Sequence, residues 1–203
     1  MENQNGYLEI TIGPMFSGKT TALIKKHDEI LEKYKFSFKK DKILFVINHQ
    51  LDQRYSTNML SSHDNVMIPI SMVSNLSDLW FNSTHENYNK LREAKYILID
   101  ETQFFEDLYE VVIDMLKMKK NVYLYGLDGD YNRNLFGRIY YLIPYCDKIV
   151  KLNSVCGNCR KKAIFSHRIT GEDTQISIGV NNYMPLCRGC FHELETPNNI
   201  DNV

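Results

Sequence analysis

Two kinds of hydrophobic pattern alternate along the first 150 residues of the chain. Leu8, Ile10 and Ile12 alternate with polar neighbours, which predicts a strand that ends at Gly13. Apolar residues then recur at helical spacing over residues 23–34 and predict a helix. Residues 43–47 form a continuous apolar run, which is typical of a strand covered on both faces of a parallel sheet.

The same alternation continues further along the chain. Residues 96–99 form a second continuous apolar run, residues 108–116 repeat at helical spacing, and residues 122–125 predict a short strand. This order predicts an α/β fold with a parallel sheet, whose ligands gather outside the carboxyl ends of the strands. The run at residues 139–141 is interpreted as packing residues, with a strand at a subunit contact as the alternative.

The pattern changes near residue 153. From Cys156 onwards the chain has short mixed segments and paired cysteines without helical periodicity. We therefore predict a nucleotide-binding core over residues 1–152, a small second domain over residues 153–196, and a flexible polar tail over residues 197–203.

Composition and charge restrict the class of protein. The chain has 203 residues, of which 43% are hydrophobic, so it can build one large core with a small appendage. A net charge of −1 gives no long-range attraction to a polyanion, and we expect no nucleic-acid partner. The sequence has neither a membrane-spanning apolar run nor a secretory leader pattern, so we expect a cytoplasmic protein without a membrane partner.

One phosphate-binding motif lies between the first predicted strand and the first predicted helix. Its glycines allow successive backbone N–H groups and the helix N-terminus to point at a phosphate chain. Lys19 adds a cation toward the β- and γ-phosphates, and the Thr20 hydroxyl can bind Mg²⁺. An accidental glycine-rich turn is the alternative, and the strand–helix context argues against it. The motif, called here the Walker turn, is Gly13-Pro14-Met15-Phe16-Ser17-Gly18-Lys19-Thr20.

Two acidic residues follow the buried strand at residues 96–99. Asp100 can complete the Mg²⁺ shell with Thr20. Glu101 at the same strand end can accept a proton from an attacking hydroxyl or water. The alternative for Glu101 is a solvated acid in the first turn of a helix.

Four of the five cysteines occur as two C-x-x-C pairs. Four thiolates at this spacing predict a closed tetrahedral Zn²⁺ site, whose role is structural because it leaves no open position for a substrate. The residues between the pairs must form a protruding loop or hairpin, and four free thiols are the alternative. The predicted ligands are Cys156, Cys159, Cys187 and Cys190.

Together these motifs resemble the zinc-containing, cytosolic thymidine kinase family over about residues 7–191. Besides the Walker turn and the cysteine pairs, the resemblance rests on residues 100–105, 126–129, 52–55 and 62–64, which read D-E-T-Q-F-F, G-L-D-G, D-Q-R-Y and S-H-D. It implies a RecA-like P-loop core, a small zinc-ribbon lasso domain and a homotetramer. The implied reaction transfers the γ-phosphoryl group of ATP to the 5′-hydroxyl of thymidine and of deoxyuridine.

The resemblance also implies roles for single residues. Glu101 is the expected general base, while Lys19, Mg²⁺ and Arg54 stabilise the transferred phosphoryl group. The Walker turn, Asp100 and Gln103 are expected to bind ATP and Mg²⁺. The nucleoside is expected between the core and the lasso, residues 160–186. The expected contacts are Met15, Phe104, Leu127 and Tyr131 from the core, and Ser166, Ile176, Ile178 and Tyr183 from the lasso.

Two rival functions and four departures from the family pattern remain. A nucleic-acid-stimulated ATPase would need a basic channel with aromatic residues, of which a chain with net charge −1 gives little sign. A catalytically silent nucleotide-binding module conflicts with the intact Walker turn and acidic pair. The residues that depart from the family pattern affect local geometry without removing a chemical group. They are Thr102, Tyr131, Leu135 and Val180.

Overall fold

The computed structural model describes residues 5–38, 40–52, 59–61, 67–171, 175 and 182–195. The strands of this part of the chain are β1 (Tyr7–Ile12), β2 (Leu44–His49), β3 (Met59–Ser61), β4 (Met67–Pro69), β5 (Ser71–Val73), β6 (Tyr96–Ile99), β7 (Asn121–Gly126), β8 (Lys148–Lys151), β9 (Ser154–Val155), β10 (Lys162–Ala163), β11 (Phe165–Arg168) and β12 (Tyr183–Leu186).

Its α-helices are α1 (Lys19–Lys33), α2 (Ser77–Trp80), α3 (Tyr88–Glu93), α4 (Leu108–Lys117) and α5 (Arg188–Glu195). Short 3₁₀ helices span Lys40–Lys42, Thr102–Phe104 and Ile139–Tyr145. Over the described residues, no helix combines the length and the apolar character that crossing a membrane requires.

Six parallel strands form the central sheet in the order β5-β2-β6-β7-β1-β8. The predicted parallel sheet and α/β fold are therefore confirmed. Strands β1 and β6 both pair with β7, so their carboxyl ends lie at the same edge of the sheet, one strand apart. This neighbourhood brings the Walker turn, which follows β1, close to the acidic pair, which follows β6.

Helices cover both faces of the sheet. On one face Leu8 and Ile10 of β1 pack in a cluster with Val111 of α4. On the other face Tyr125 of β7 packs in a cluster with Leu23 of α1. Burying each such aliphatic side chain stabilises the fold by about 1.5–3 kcal/mol, so the sheet forms a rigid base for the loops at its edge.

The structure corrects two predictions about local elements. The run at residues 139–141 packs against the core, as first interpreted, but it lies in a 3₁₀ helix and not in the alternative strand. Its buried residues Ile139 and Leu142 are three positions apart, which matches the three-residue turn of this helix, and Pro144 cannot donate to a strand ladder. Near the end of the chain, α5 carries the buried Cys190 and Phe191, although the sequence there predicts no helix.

His49, the last residue of β2, is held as a neutral imidazole. Its Nε2 donates to the carbonyl oxygen of Ser74 at 3.0 Å, and its Nδ1 accepts from the Leu51 backbone N–H at 3.0 Å. Its ring also packs edge-on against Phe105, with ring centroids 4.7 Å apart. Burial lowers the pKa of His49 below its ordinary value of 6.5, despite the opposing effect of the Ser74 carbonyl.

We expect His49 to make the folded state acid-sensitive. Because its pKa is lower in the folded state, the unfolded chain binds the proton first as the pH falls. Above about pH 6.5 the neutral His49 does not weaken the fold. As the pH falls below 6.5 toward the lower pKa of the folded state, proton binding to the unfolded chain decreases the free energy of unfolding. In calorimetry, the Tm of His49→Gln should therefore fall less than that of the wild type between about pH 7 and pH 5.5. The exposed His192→Gln serves as the control, and identical pH profiles for His49→Gln and wild type would contradict this assignment.

Candidate active site

The Walker turn connects β1 to α1 and keeps a lysine beside the helix N-terminus. Gly18, the residue before α1, has a left-handed conformation with φ of 82°. The side chain of Lys19 is buried, and its Nζ donates to the carbonyl oxygens of Gly13 at 3.1 Å and Pro14 at 2.8 Å. The helix N-terminus and the ammonium group together present positive charge at the edge of the sheet, as an anion-binding site requires.

The predicted magnesium pair is brought together from segments that lie 80 residues apart in sequence. Thr20 Oγ1 donates to Asp100 Oδ2 at 3.0 Å. Asp100 Oδ1 accepts from the Glu101 backbone N–H at 3.0 Å, and only 1% of Asp100 is exposed. A hydroxyl and a carboxylate form an oxygen donor set of the kind that Mg²⁺ prefers, so these residues fit the ion.

Glu101 is held in place by Gln103. Glu101 itself is left-handed, with φ of 49°, a conformation that costs on the order of 1–3 kcal/mol outside glycine. Its Oε2 accepts a hydrogen bond from Gln103 Nε2. Gln103 Oε1 in turn accepts from the Leu127 backbone N–H at 3.0 Å. The described side-chain bonds of Gln103 thus go to Glu101 and Leu127, and this carboxamide fixes the predicted base relative to the loop after β7.

Gly137 lies against the backbone of Gln103 and so helps to hold Gln103 in place. Its φ is 71°, and a Cβ at this position would lie 2.3 Å from the Gln103 carbonyl oxygen. We expect Gly137→Ala to lower the stability by at least about 2 kcal/mol, since a backbone group and not a flexible side chain must move. That loss corresponds to a decrease in Tm of about 4–8 °C for a chain of this length, measurable by calorimetry.

The matched control for this substitution is Gly189→Ala. A Cβ at Gly189 meets no atom within 4 Å. Its Tm should stay within about 2 °C of the wild type. A Gly137→Ala protein with wild-type Tm would show that the Gln103 backbone is not confined there.

The strands β11 and β12, called here the lasso hairpin, are attached to the Walker turn. They pair antiparallel from Phe165 opposite Leu186 to Arg168 opposite Tyr183. Ser166 Oγ of β11 accepts from the Met15 backbone N–H at 2.9 Å. The predicted hairpin between the cysteine pairs is therefore present in the described residues, and it lies directly beside the turn predicted to bind phosphate.

The contacts of the predicted nucleoside residues fall into two groups. Two pairs are connected through the lasso hairpin, while Leu127 and Phe104 contact residues of the core. Met15 meets Ser166 through the hydrogen bond just described, and Leu127 is tied to Gln103. The rings of Tyr131 and Tyr183 both lie against one guanidinium group, that of Arg168. Phe104 packs edge-on against Phe136, with ring centroids 5.7 Å apart. The predicted residues Arg54, Ile176, Ile178 and Val180 lie outside the described residues.

The four paired cysteines form one cluster. Their sulfur atoms all lie within 4.8 Å of one another, and Sγ of Cys159 is 3.5 Å from Sγ of Cys187. Four sulfurs at about 2.3 Å from a tetrahedral Zn²⁺ would be about 3.8 Å apart, so the cluster fits that ion. Burial raises the pKa of Cys156, but hydrogen bonds from backbone N–H groups, including that of Cys159, outweigh it and lower the pKa to about 6.

Three residues that join the lasso hairpin to the core are not indicated by any sequence motif. They are Arg168 of β11, Asp130 in the loop after β7, and Gln175. Each belongs to no motif, and the contacts that reach the core, Gln175 with Asp130 and Arg168 with Tyr131, join positions that are 45 and 37 residues apart in sequence. The local sequence indicates only Asp130, because Asp side chains in turns accept hydrogen bonds from nearby backbone N–H groups.

Comparison with known proteins gives the family. The sequence model of the family described as "Thymidine kinase" matches residues 6–191. The thymidine kinase of Yaba monkey tumor virus (strain VR587) is 35% identical over 96% of this chain and 99% of its own length. The protein named "Thymidine kinase, cytosolic" from Gallus gallus is 31% identical over 93% of this chain and 78% of its own length. A thymidine kinase of Oryza sativa subsp. japonica is 35% identical over 93% of this chain and 68% of its own length. With its Walker turn, acidic pair and cysteine cluster in place, this chain belongs to the thymidine kinase family.

Proposed function

We propose that the protein transfers the γ-phosphoryl group of ATP to the 5′-hydroxyl of thymidine, and of deoxyuridine, in nucleotide salvage. The observation that carries this proposal is the hydrogen bond between the Met15 N–H and Ser166 Oγ. It puts the lasso hairpin beside the Walker turn, while Glu101 follows β6 at the same edge of the sheet. A nucleoside under the hairpin would thus lie between a phosphate site and a carboxylate base.

The Walker turn is proposed to bind the triphosphate. Lys19 would exchange the carbonyl oxygens of Gly13 and Pro14 for oxygens of the β- and γ-phosphates. Thr20 and Asp100 are positioned to hold Mg²⁺, which when bound neutralises charge on the phosphates. Arg54, by family resemblance, adds a second cation at the transferred group.

Glu101 is proposed to be the general base. As the 5′-oxygen of thymidine forms its bond to the γ-phosphorus, the bond from that phosphorus to the β–γ bridging oxygen of ATP breaks, and ADP leaves. The hydroxyl proton passes to the carboxylate of Glu101. Gln103 keeps this carboxylate oriented through its hydrogen bond to Oε2. The products are thymidine 5′-monophosphate and ADP.

The nucleoside is proposed to lie between the loop after β7 and the lasso hairpin. Met15, Phe104, Leu127 and Tyr131 would contact it from the core, and Ser166, Ile176, Ile178 and Tyr183 from the lasso. Zn²⁺ bound by the four cysteines would fasten the base of the hairpin, since the small apolar cluster around Cys156 and Phe191 is separate from the two large clusters. Substrate entry then requires the lasso to open.

Three further parts of the proposal concern the domains, the assembly and the location of the protein. Residues 1–152 would form the nucleotide-binding domain and residues 153–196 the zinc-ribbon lasso domain, because the strand pairs β9–β10 and β11–β12 stay outside the six-stranded sheet. The predicted tail, residues 197–203, lies outside the described residues. The family resemblance supports a homotetramer, and the name of the chicken relative supports a cytoplasmic location.

One assay tests the function. The protein is incubated with γ-labelled ATP and, separately, thymidine, deoxyuridine, deoxycytidine or single-stranded DNA. Label in thymidine monophosphate and deoxyuridine monophosphate is the expected result. DNA-stimulated release of free phosphate would support an ATPase instead, and the absence of turnover would support a silent nucleotide-binding module.

A further inference from the structure

Arg168 lies between an aromatic ring of the core and one of the lasso hairpin. Only 5% of Arg168 is exposed. Its guanidinium carbon is 3.8 Å from the centroid of the Tyr131 ring and 5.2 Å from that of Tyr183. One Nη of Arg168 also donates to the Tyr183 hydroxyl at 2.6 Å and to the carbonyl oxygen of Gln175 at 3.1 Å. The planar cation therefore stacks on the core ring while it binds two groups of the lasso.

A second contact closes the same junction. Asp130 Oδ1 accepts from the backbone N–H groups of Asn132 at 2.9 Å and Asn134 at 2.8 Å, which fixes the loop after β7. The other carboxylate oxygen, Oδ2, accepts from Gln175 Nε2 at 2.9 Å. Gln175 thus bonds to Asp130 with its side chain and to Arg168 with its carbonyl oxygen. Tyr131 is therefore restrained twice, by the guanidinium group on its ring and by the fixed backbone of its neighbour Asp130.

We propose that Arg168 is a positioning residue for the nucleoside. It holds the Tyr131 and Tyr183 rings in fixed relative positions and attaches the lasso hairpin to the core, and in this way it orients the nucleoside. This attachment is called here the latch. This inference rests on the proposed function, because it takes the two rings as walls of the nucleoside pocket. Arg168 acts through the rings and not on the reacting phosphate. Its loss should therefore affect nucleoside binding and spare both ATP binding and the chemical step.

The kinetic signature separates this role from a general loss of structure. Arg168→Leu should raise the KM for thymidine at least about tenfold, with the KM for ATP within about twofold and kcat within about threefold of wild type. Arg168→Lys should recover little of the loss, since an ammonium cannot both stack on Tyr131 and donate to Tyr183 as a planar group does. Full recovery by Arg168→Lys would show that only the positive charge matters and would overturn the positioning role.

A double substitution tests whether the effect passes through Tyr131. If the stacked pair acts as one unit, Arg168→Leu combined with Tyr131→Leu should raise the KM for thymidine no more than about twofold above the larger single effect. Multiplicative effects would show that the two side chains act independently and would contradict the proposed route.

Hydrogen–deuterium exchange measures the latch without relying on activity. In Arg168→Leu, amides of β11 and β12 should exchange at least about tenfold faster than in the wild type, while those of β1 and β7 keep their protection. Arg92→Leu is the matched control, because Arg92 also stacks on an aromatic ring, that of Trp80 at 4.3 Å, but lies outside the lasso hairpin. It should leave the exchange of β11 and β12 and the KM for thymidine unchanged.

The outcomes for the latch and for the function are distinct. Wild-type exchange in β11 and β12 of Arg168→Leu would overturn the latch, whether or not the enzyme is active. A wild-type protein that phosphorylates no nucleoside would overturn the proposed function and the nucleoside-positioning role with it. Faster exchange together with a selective rise in the KM for thymidine supports the whole inference.

Discussion

Glu101→Gln should lower kcat for thymidine phosphorylation by about 10²–10⁴-fold while leaving the affinity for ATP within about twofold of wild type. The amide is nearly isosteric with the carboxylate, and its oxygen can still accept the hydrogen bond from Gln103. The substitution therefore preserves the local structure and removes the group that is proposed to take the hydroxyl proton. Steady-state kinetics with thymidine and calorimetric titration with ATP measure the two quantities.

The control for this substitution is Glu106→Gln. Glu106 is close in sequence, but its side chain is 80% exposed and pairs with Arg138 at the surface. Its removal should change kcat by less than about twofold, since surface ion pairs contribute little. A wild-type kcat in Glu101→Gln would exclude Glu101 as the base, and a lost ATP affinity would assign it to nucleotide binding instead.

Cys190→Ser should abolish stoichiometric zinc binding and reduce thymidine phosphorylation by at least about 100-fold. Structural zinc contributes on the order of 10 kcal/mol of binding free energy to small sites, and Cys190, only 6% exposed, belongs to the cluster that forms the small apolar core with Phe191. Without the metal, the base of the lasso hairpin loses its main constraint. ATP binding at the Walker turn should persist, because that turn is built on β1 and α1.

Cys146→Ser is the matched control, since Cys146 lies outside the cluster and its thiol donates to the Ile143 carbonyl oxygen at 3.1 Å. Elemental analysis should find about one zinc per chain in the wild type and in Cys146→Ser, and much less in Cys190→Ser. Retention of one zinc per chain and of full activity by Cys190→Ser would show that the four thiols do not form the proposed site.

The parts of the site that the sequence predicted are those that depend on neighbouring residues and on sheet order. The Walker turn is a local strand-turn-helix motif, so its spacing alone indicates its conformation. The approach of Thr20 to Asp100 follows once the strands are parallel, because strand ends then share one edge. The sequence predicts the cluster of four cysteines because the two members of each pair are already close, so that only the two pairs have to come together.

Other features depend on packing that no local pattern records. The left-handed conformation of Glu101 is unusual for a non-glycine residue, and hydrogen bonds from the Gln103 side chain and from the Phe104 backbone N–H accompany it. The helix α5 has only eight residues, and its short buried face at Cys190 and Phe191 was too small to show a period. The contact of Arg168 with Tyr131 joins strand β11 to the loop after β7 by placing a cation on an aromatic ring, which composition and spacing do not encode.

A crystal structure with a bisubstrate analogue, in which adenosine and thymidine are joined through a chain of phosphates, would show whether the Walker turn, Glu101 and the lasso hairpin meet at one substrate. We expect Lys19 Nζ to contact the phosphates, the thymine to lie beneath the lasso hairpin, and Glu101 to lie within about 3.2 Å of the thymidine 5′-oxygen. A thymine bound away from the lasso hairpin, or a Glu101 carboxylate directed away from the 5′-oxygen, would contradict this expectation.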